Sequence, residues 1–244
     1  MQTNLRKICI KNISKTFQTA QGTLEALKNV SFEVEEGTCT VIGGENGSGK
    51  SLLMSIISGL EEADSGTVET FSKVGLVFQE AETQILGETP AEDVAFGPKN
   101  LKWPEEKVKV AVENALKKTG LYAKADFPAR FLSGGEKRRL AVACMLAMEL
   151  PVFILDEPYA NLDYTGVKQV NSLITALKKE GKTVIILSHE IEKCLGLADR
   201  FIVLFRGKKV FDGMPEAALA ENLEQWNIRN PLNSYKSVKD LLWL

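Results

Sequence analysis

Gly44-Glu45-Asn46-Gly47-Ser48-Gly49-Lys50-Ser51 fits the pattern G-x-x-x-x-G-K-S, with the apolar pair Val41-Ile42 before it and Leu52-Leu53-Met54-Ser55-Ile56-Ile57 after it. The order reads strand, glycine-rich loop, helix, which is the context that makes this pattern a phosphate-binding loop. Glycines let successive backbone N–H groups turn onto phosphate oxygens, and the helix N-terminus adds positive potential. Lys50 is placed to bridge the outer phosphates and Ser51 to hold Mg²⁺. Gly44, Glu45, Asn46, Gly47, Ser48, Gly49, Lys50, Ser51 and the next helical residue, Leu52, are therefore the candidate phosphate contacts.

Outward from this loop, three apolar runs read as buried parallel strands: Val74 to Phe78, Val152 to Leu155 and Thr183 to Leu187. Between Ser31 and Val41, two β-rich runs break at Glu36-Gly37, a turn signal that predicts an antiparallel N-terminal sheet. Gly59 reads as the stop of the helix after the loop. Pro104 to Gly120 has Pro and acids at its start, lysines late and Gly last, the end signals of a surface helix. Residues from about 80 to 147 read as helical and sit between strand-bearing parts, so a helical subdomain inserted in an α/β core is expected. Phe201 to Gly213 reads as a hairpin turning at Arg206-Gly207, and about 214–244 form a short tail to which the sequence assigns no function.

At 244 residues the chain fits one domain, 1–244, with subdomains. Lys plus Arg (30) nearly balances Asp plus Glu (32), which excludes a global basic field for gripping nucleic acid. Cys9, Cys39, Cys144 and Cys194 are scattered and suit reduced thiols. Met1 to Asn12 holds no apolar run long enough for a signal-peptide core, which predicts a protein that is not exported. The stretch from Leu140 to Leu155, broken by Glu149 and Pro151, falls short of the ~18 residues of a spanning helix, so membrane contact is expected through a partner.

Phe153-Ile154-Leu155-Asp156-Glu157 is an apolar strand ending in two acids at the carboxyl edge of the sheet, where α/β folds bind ligands. Asp156 is the candidate Mg²⁺ support and Glu157 the group that polarises the attacking water. An acidic strand end that caps a helix is the alternative. Leu132-Ser133-Gly134-Gly135-Glu136 precedes a helix expected near Lys137, which gives a second anion site from a hydroxyl and backbone N–H groups.

Together these residues resemble the P-loop, acidic strand and signature motif of ABC ATPases. The resemblance implies the P-loop NTPase ABC ATPase fold: α/β, with a RecA-like core, an N-terminal antiparallel β subdomain and an inserted α-helical subdomain. It implies ATP and Mg²⁺ as ligands, and a head-to-tail dimer in which Ser133, Gly134 and Gly135 of one subunit close over the nucleotide on the P-loop of the other. Gln79 matches the family's Q-loop glutamine, which contacts Mg²⁺ or water. His189, the single histidine, matches the switch histidine that holds Glu157 and the water. Asp163, in Asn161-Leu162-Asp163, matches the D-loop residue at the dimer interface, although a helix N-cap is an equally physical role. Phe17 stands where the family stacks an aromatic on adenine, or is a core residue.

The segment Val77-Phe78-Gln79 to Leu101 is similar to that of energy-coupling factor (ECF) transporter ATPases, carried by Gln84, Thr89, Asp93 and Ala95-Phe96-Gly97-Pro98. That branch implies a homodimer or heterodimer of ATPases on a transmembrane coupling subunit. A small membrane protein there binds a vitamin or a transition-metal ion, and the ATPases lie at the cytoplasmic face of the membrane. Glu80, Glu82, Glu88, Glu92 and Asp93 then offer an acidic surface to basic coupling helices, or are a solvated charge run. Glu45, Glu80-Ala81 and Pro90 depart from the usual residues. The competing readings are the ATPase of a conventional ABC importer or exporter, and a soluble ABC ATPase acting on nucleic acid or ribosomes.

Overall fold

The computed structural model describes residues 6–20, 22–233 and Ser237; the start of the Met1–Asn12 segment and most of the tail beyond 233 lie outside them. Two sheets form the strand-bearing part. Strands β1 (Lys7–Thr19), β2 (Gly22–Glu35) and β4 (Ser65–Glu69) make an antiparallel sheet in the order β2-β1-β4. The second sheet has the order β5 (Val74–Val77), β6 (Val152–Asp156), β7 (Thr183–Ser188), β3 (Cys39–Gly43), β8 (Arg200–Phe205), β9 (Lys208–Gly213). Its first five strands run parallel, and β9 returns antiparallel as the hairpin partner of β8. Arg206 and Gly207 both have positive φ at that turn, as a tight hairpin with matching twist requires.

The central strands are apolar along their whole length because both of their faces are covered. Phe153, Leu155, Val184, Ile186, Phe201 and Val203 point into one core with helix α5 (Tyr164–Lys179). Their alternates Ile154, Ile185, Leu187, Ile202 and Leu204 point into a second core with helix α1 (Lys50–Ile57) and the antiparallel sheet. Each such side chain, taken fully out of water, contributes about 1.5–3 kcal/mol.

Between β5 and β6 lie helices α2 (Pro90–Asn100), α3 (Glu105–Lys118) and α4 (Gly134–Ala147), which share a third core around Val94, Leu116, Leu121 and Leu140. Thr89 caps α2, and Ser133 with Glu136 forms a full capping box on α4. A short helix α6 (Pro215–Leu219) follows the β8–β9 hairpin.

Four expectations need correction. Glu36-Gly37 turns between sheets and not within one: β2 pairs only with β1, while β3 enters the parallel sheet. The strand before the Q-loop ends at Val77, so Phe78 and Gln79 already lie in the loop. The signature helix begins at Gly134, three residues before Lys137. Asp93 is buried, so it does not belong to an acidic surface. Its carboxylate accepts the N–H groups of Leu86 (2.7 Å) and Gly87 (2.9 Å) and shapes the loop before α2.

Candidate functional site

Parallel pairing aligns the carboxyl ends of β3, β6 and β7: Gly43 lies opposite Ser188, and Asp156 opposite Leu187. The P-loop, the acidic pair and His189 therefore emerge at one edge of the sheet. Gly44 sits at φ 151°, where a Cβ would come within 2.2 Å of the Leu204 carbonyl oxygen. Gly49 sits at φ 100°, against Leu27 and the Ala26 carbonyl. Only glycine fits either place, so the backbone wraps tightly and points its N–H groups inward. The amides of Lys50, Ser51 and Leu52 are first-turn donors without an i−4 acceptor, the Leu53 amide being the first to find one, on Gly49. The Leu52 side chain packs into the second core, so its contribution to an anion is the backbone N–H.

Lys50 is buried within this wrap. Its ammonium donates to the carbonyl oxygens of Gly44 (2.8 Å) and Glu45 (3.0 Å) and lies 3.9 Å from Glu157. Burial holds it below the usual lysine range, against the upward pull of Glu157, Asp156 and Glu45. Burial likewise pushes the Asp156 carboxyl above the usual range; its bond to the Ser51 hydroxyl opposes this, and Glu157 adds to it. Asp156 Oδ1 and the Ser48 hydroxyl are buried without any hydrogen-bond partner. Buried polar atoms left without a partner in a loop of this shape fit the binding of a phosphate and a cation there. A hydroxyl beside a carboxylate is also the oxygen donor set that suits Mg²⁺ together with phosphate oxygens.

Glu157 follows Asp156 at φ 45°, a left-handed conformation that a non-glycine residue adopts only under strong constraint. The constraint is visible. Its N–H donates to the Leu187 carbonyl at 3.0 Å, its carboxylate accepts the His189 N–H at 3.1 and 3.3 Å, and His189 Nδ1 lies 2.9 Å from Oε1. The Glu157 side chain is 7% exposed, while the imidazole is partly open to solvent. An Nδ1–H given to Glu157 leaves Nε2 for another partner.

The matches to known proteins agree with this geometry. The ABC transporter family profile matches residues 27–160. An energy-coupling factor transporter ATP-binding protein EcfA of Carboxydothermus hydrogenoformans is 38% identical over 224 residues, 85% of this chain and 82% of that protein. The chain belongs to the ABC transporter ATPases, in the energy-coupling factor group. An EcfA2 of Methanospirillum hungatei is 39% identical over 80% of this chain, which spans only about half (53%) of that relative's length. Among solved structures, CbiO1 of Clostridium perfringens, described as part of the ABC transporter complex CbiONQ, superposes with a TM-score of 0.80. It is 33% identical, and the match covers 93% of this chain and 97% of that one. The ATP-binding cassette MJ0796, a post-hydrolysis dimer with ADP and Pi bound, gives a TM-score of 0.77 at 28% identity, over 85% and 98% of the two chains.

As an ABC ATPase the chain hydrolyses ATP, and among the described hydrogen bonds its remaining motif residues make none to the P-loop. Ser133 and Gly134 are exposed at the start of α4, where the Ser133 hydroxyl accepts the Glu136 N–H at 3.3 Å. Gly135 has Leu162 and Arg139 as its nearest neighbours. Asp163 caps α5 through the Gly166 N–H at 2.7 Å. Phe17 is 39% exposed, with the Lys15 ammonium 5.6 Å from its ring. The Gln79 side chain is exposed and makes no hydrogen bond to the P-loop or Glu157 among the described contacts. This ABC ATPase therefore joins the P-loop, Asp156, Glu157 and His189 by direct contacts, and among the described contacts Gln79, Phe17, Asp163 and the signature have none with that group.

Three residues act on the site without having been singled out for it. The Gln84 amide clamps the end of β5, accepting the Phe78 N–H and donating to the Leu76 carbonyl, both at 2.8 Å. Arg138 donates to the Gln79 carbonyl at 3.3 Å. Asn227, near the chain's end, donates to the Glu45 carboxylate at 2.7 Å. The first was visible as a branch marker. The other two join positions 59 and 182 residues apart, which no local pattern reveals.

Among the described residues no helix is long and apolar enough to cross a membrane. A cleft of about 430 Å³ opens between the segment 82–89, the turn at 128–130 and Lys137 of α4, lined by Glu82, Gly87, Glu88, Thr89, Arg130 and Lys137 among others.

Proposed function

We propose that this ATPase is the motor of an ECF-type importer of a vitamin or a transition-metal ion. It works as a homodimer or heterodimer with a second ABC ATPase, on a transmembrane coupling subunit and a small substrate-binding membrane protein at the cytoplasmic face. The observation that carries the catalytic half is the Glu157 carboxylate, buried and fixed by His189 at 2.9 Å with Lys50 at 3.9 Å. A carboxylate so held is a positioned acceptor for the proton of the attacking water. His189, anchored by Nδ1, turns Nε2 toward the γ-phosphate. Lys50, which now donates to two loop carbonyls, exchanges them for the β- and γ-phosphate oxygens.

Ser51, Asp156 and Gln79 would hold Mg²⁺, which when bound would neutralise charge on the phosphates. Gly44 to Leu52 surround the phosphates and Phe17 stacks on the adenine. Ser133 and Gly134, both exposed, and the half-buried Gly135 are donors for the nucleotide of the other subunit, with Asp163 at the joint between the sites. The exposed carboxylates of Glu80, Glu88 and Glu92 suit a basic coupling helix, whereas Glu82 is already paired with Lys137 at 2.8 Å. The test is to tag the chain in its native host, extract membranes in mild detergent, and identify what co-purifies with wild type and with Glu157→Gln. One transmembrane subunit shared with small binding proteins supports the reading. A conventional permease pair overturns the ECF assignment, and recovery of only ribosomes or nucleic acid overturns transport.

A further inference from the structure

Arg138 lies on the first turns of α4, one turn past the signature, and is 8% exposed. It has no carboxylate partner among the described ion pairs, and burial alone lowers its pKa from the usual arginine value. It shares the lining of a small apolar pocket with Val77, Val142 and Leu155, and its Nε–H is buried without a partner. A cation in such surroundings is costly unless it is paired, and an apolar side chain of similar volume would fill the space at no electrostatic cost. What the guanidinium does hold is the backbone of the Q-loop: Nη2 donates to the Gln79 carbonyl at 3.3 Å, across 59 residues. This bond crosses a cleft of about 480 Å³ between Gln79–Thr83 and the Gly134 end of α4.

We infer that Arg138 is the positioning residue that ties the Q-loop to the signature helix, so that Gln79 and Ser133–Gly135 shift as one unit when nucleotide binds. A single neutral acceptor makes a bond that can be exchanged, and the idle Nε–H supplies a second donor for the displaced carbonyl. The link thus has two arrangements available, as a coupling element requires. The inference rests on the reading of Gln79 as a contact of the bound nucleotide.

The experiment compares Arg138→Met, which removes every donor, with Arg138→Gln, which keeps an N–H donor without charge. It measures kcat, the ATP Kd of the isolated chain and Tm, each also in a Gln79→Ala background. The expected result for Arg138→Met is a loss of kcat of at least about tenfold, with Kd within about twofold and Tm not lowered. Arg138→Gln restores most of the loss, and Arg138→Met adds less than about twofold to Gln79→Ala, because Arg138 holds the Gln79 backbone and acts on the reaction only through the Gln79 side chain that this second variant removes. An unchanged kcat in Arg138→Met overturns the inference, and so does a loss that is accompanied by a lowered Tm and is not rescued by Gln. Gln79→Ala alone separates the two failures. If it leaves kcat unchanged, the role of Gln79 falls and takes this inference with it. If it lowers kcat while Arg138→Met does not, only the inference falls.

Discussion

Two glycine-bearing helix starts, at α1 and at α4, carry the same kind of chemistry in opposite settings. The first is enclosed. Gly44 and Gly49 leave no room for a side chain, Lys50 is buried and already bonded to loop carbonyls, and Glu157 is locked by His189. The second is open, with Ser133 and Gly134 exposed and their capping box complete, beside the cleft that Gln79–Thr83 line. A phosphate site needs both a cradle and a lid. The difference teaches that the cradle is finished within one chain, whereas the exposed start of α4 is the lid only on the proposed function, where it serves the nucleotide of the other subunit.

The largest effect should come from the enclosed end. Glu157→Gln keeps the shape but removes the acceptor, and steady-state hydrolysis is expected to fall by about 10²–10⁴-fold with ATP binding retained. Next, Gly135→Asp sets a carboxylate where the γ-phosphate of another subunit would meet α4. We expect kcat to fall on the order of 10²-fold while the ATP Kd of the isolated chain is unchanged. A weakened Kd would mean that the two helix starts serve one nucleotide in cis.

A smaller effect follows from burial of Asp156. Its folded pKa is raised, so the charged form costs stability at neutral pH, and this cost disappears as pH falls below the unfolded carboxyl value of about 4. Asp156→Asn should therefore raise the Tm of the nucleotide-free protein at pH 7 by about 2–4 °C per kcal/mol regained. The gain should vanish in acid, and the variant should lose Mg²⁺-dependent hydrolysis. The smallest effect is expected at the exposed bond from Asn227 to Glu45. Asn227→Ala removes about 1 kcal/mol at most and should weaken ATP binding by less than about fivefold, read by calorimetry.

Much of the fold could be read locally because both central cores demand it: strands such as Val152 to Leu155 are apolar at every position, and α3 carries its own end signals. Sheet membership was not legible at Glu36-Gly37, since a turn between strands looks the same whether they pair or part. Asp93 resembled surface charge because its partners are loop amides, which leave no mark in the side-chain sequence. In the site, P-loop, Asp156, Glu157 and His189 were recognisable because each ends a strand of one parallel sheet, so equal register makes them neighbours. Arg138 and Asn227 were not, because their contacts depend on how distant segments pack.

The measurement closest to the central claim is sedimentation of Glu157→Gln with and without ATP, alone and with any ATPase subunit that co-purifies with it. The account predicts a dimer that forms only with ATP and is lost when Gly135→Asp is added. Failure of ATP to drive association in either mixture, or a dimer indifferent to Gly135→Asp, would contradict it.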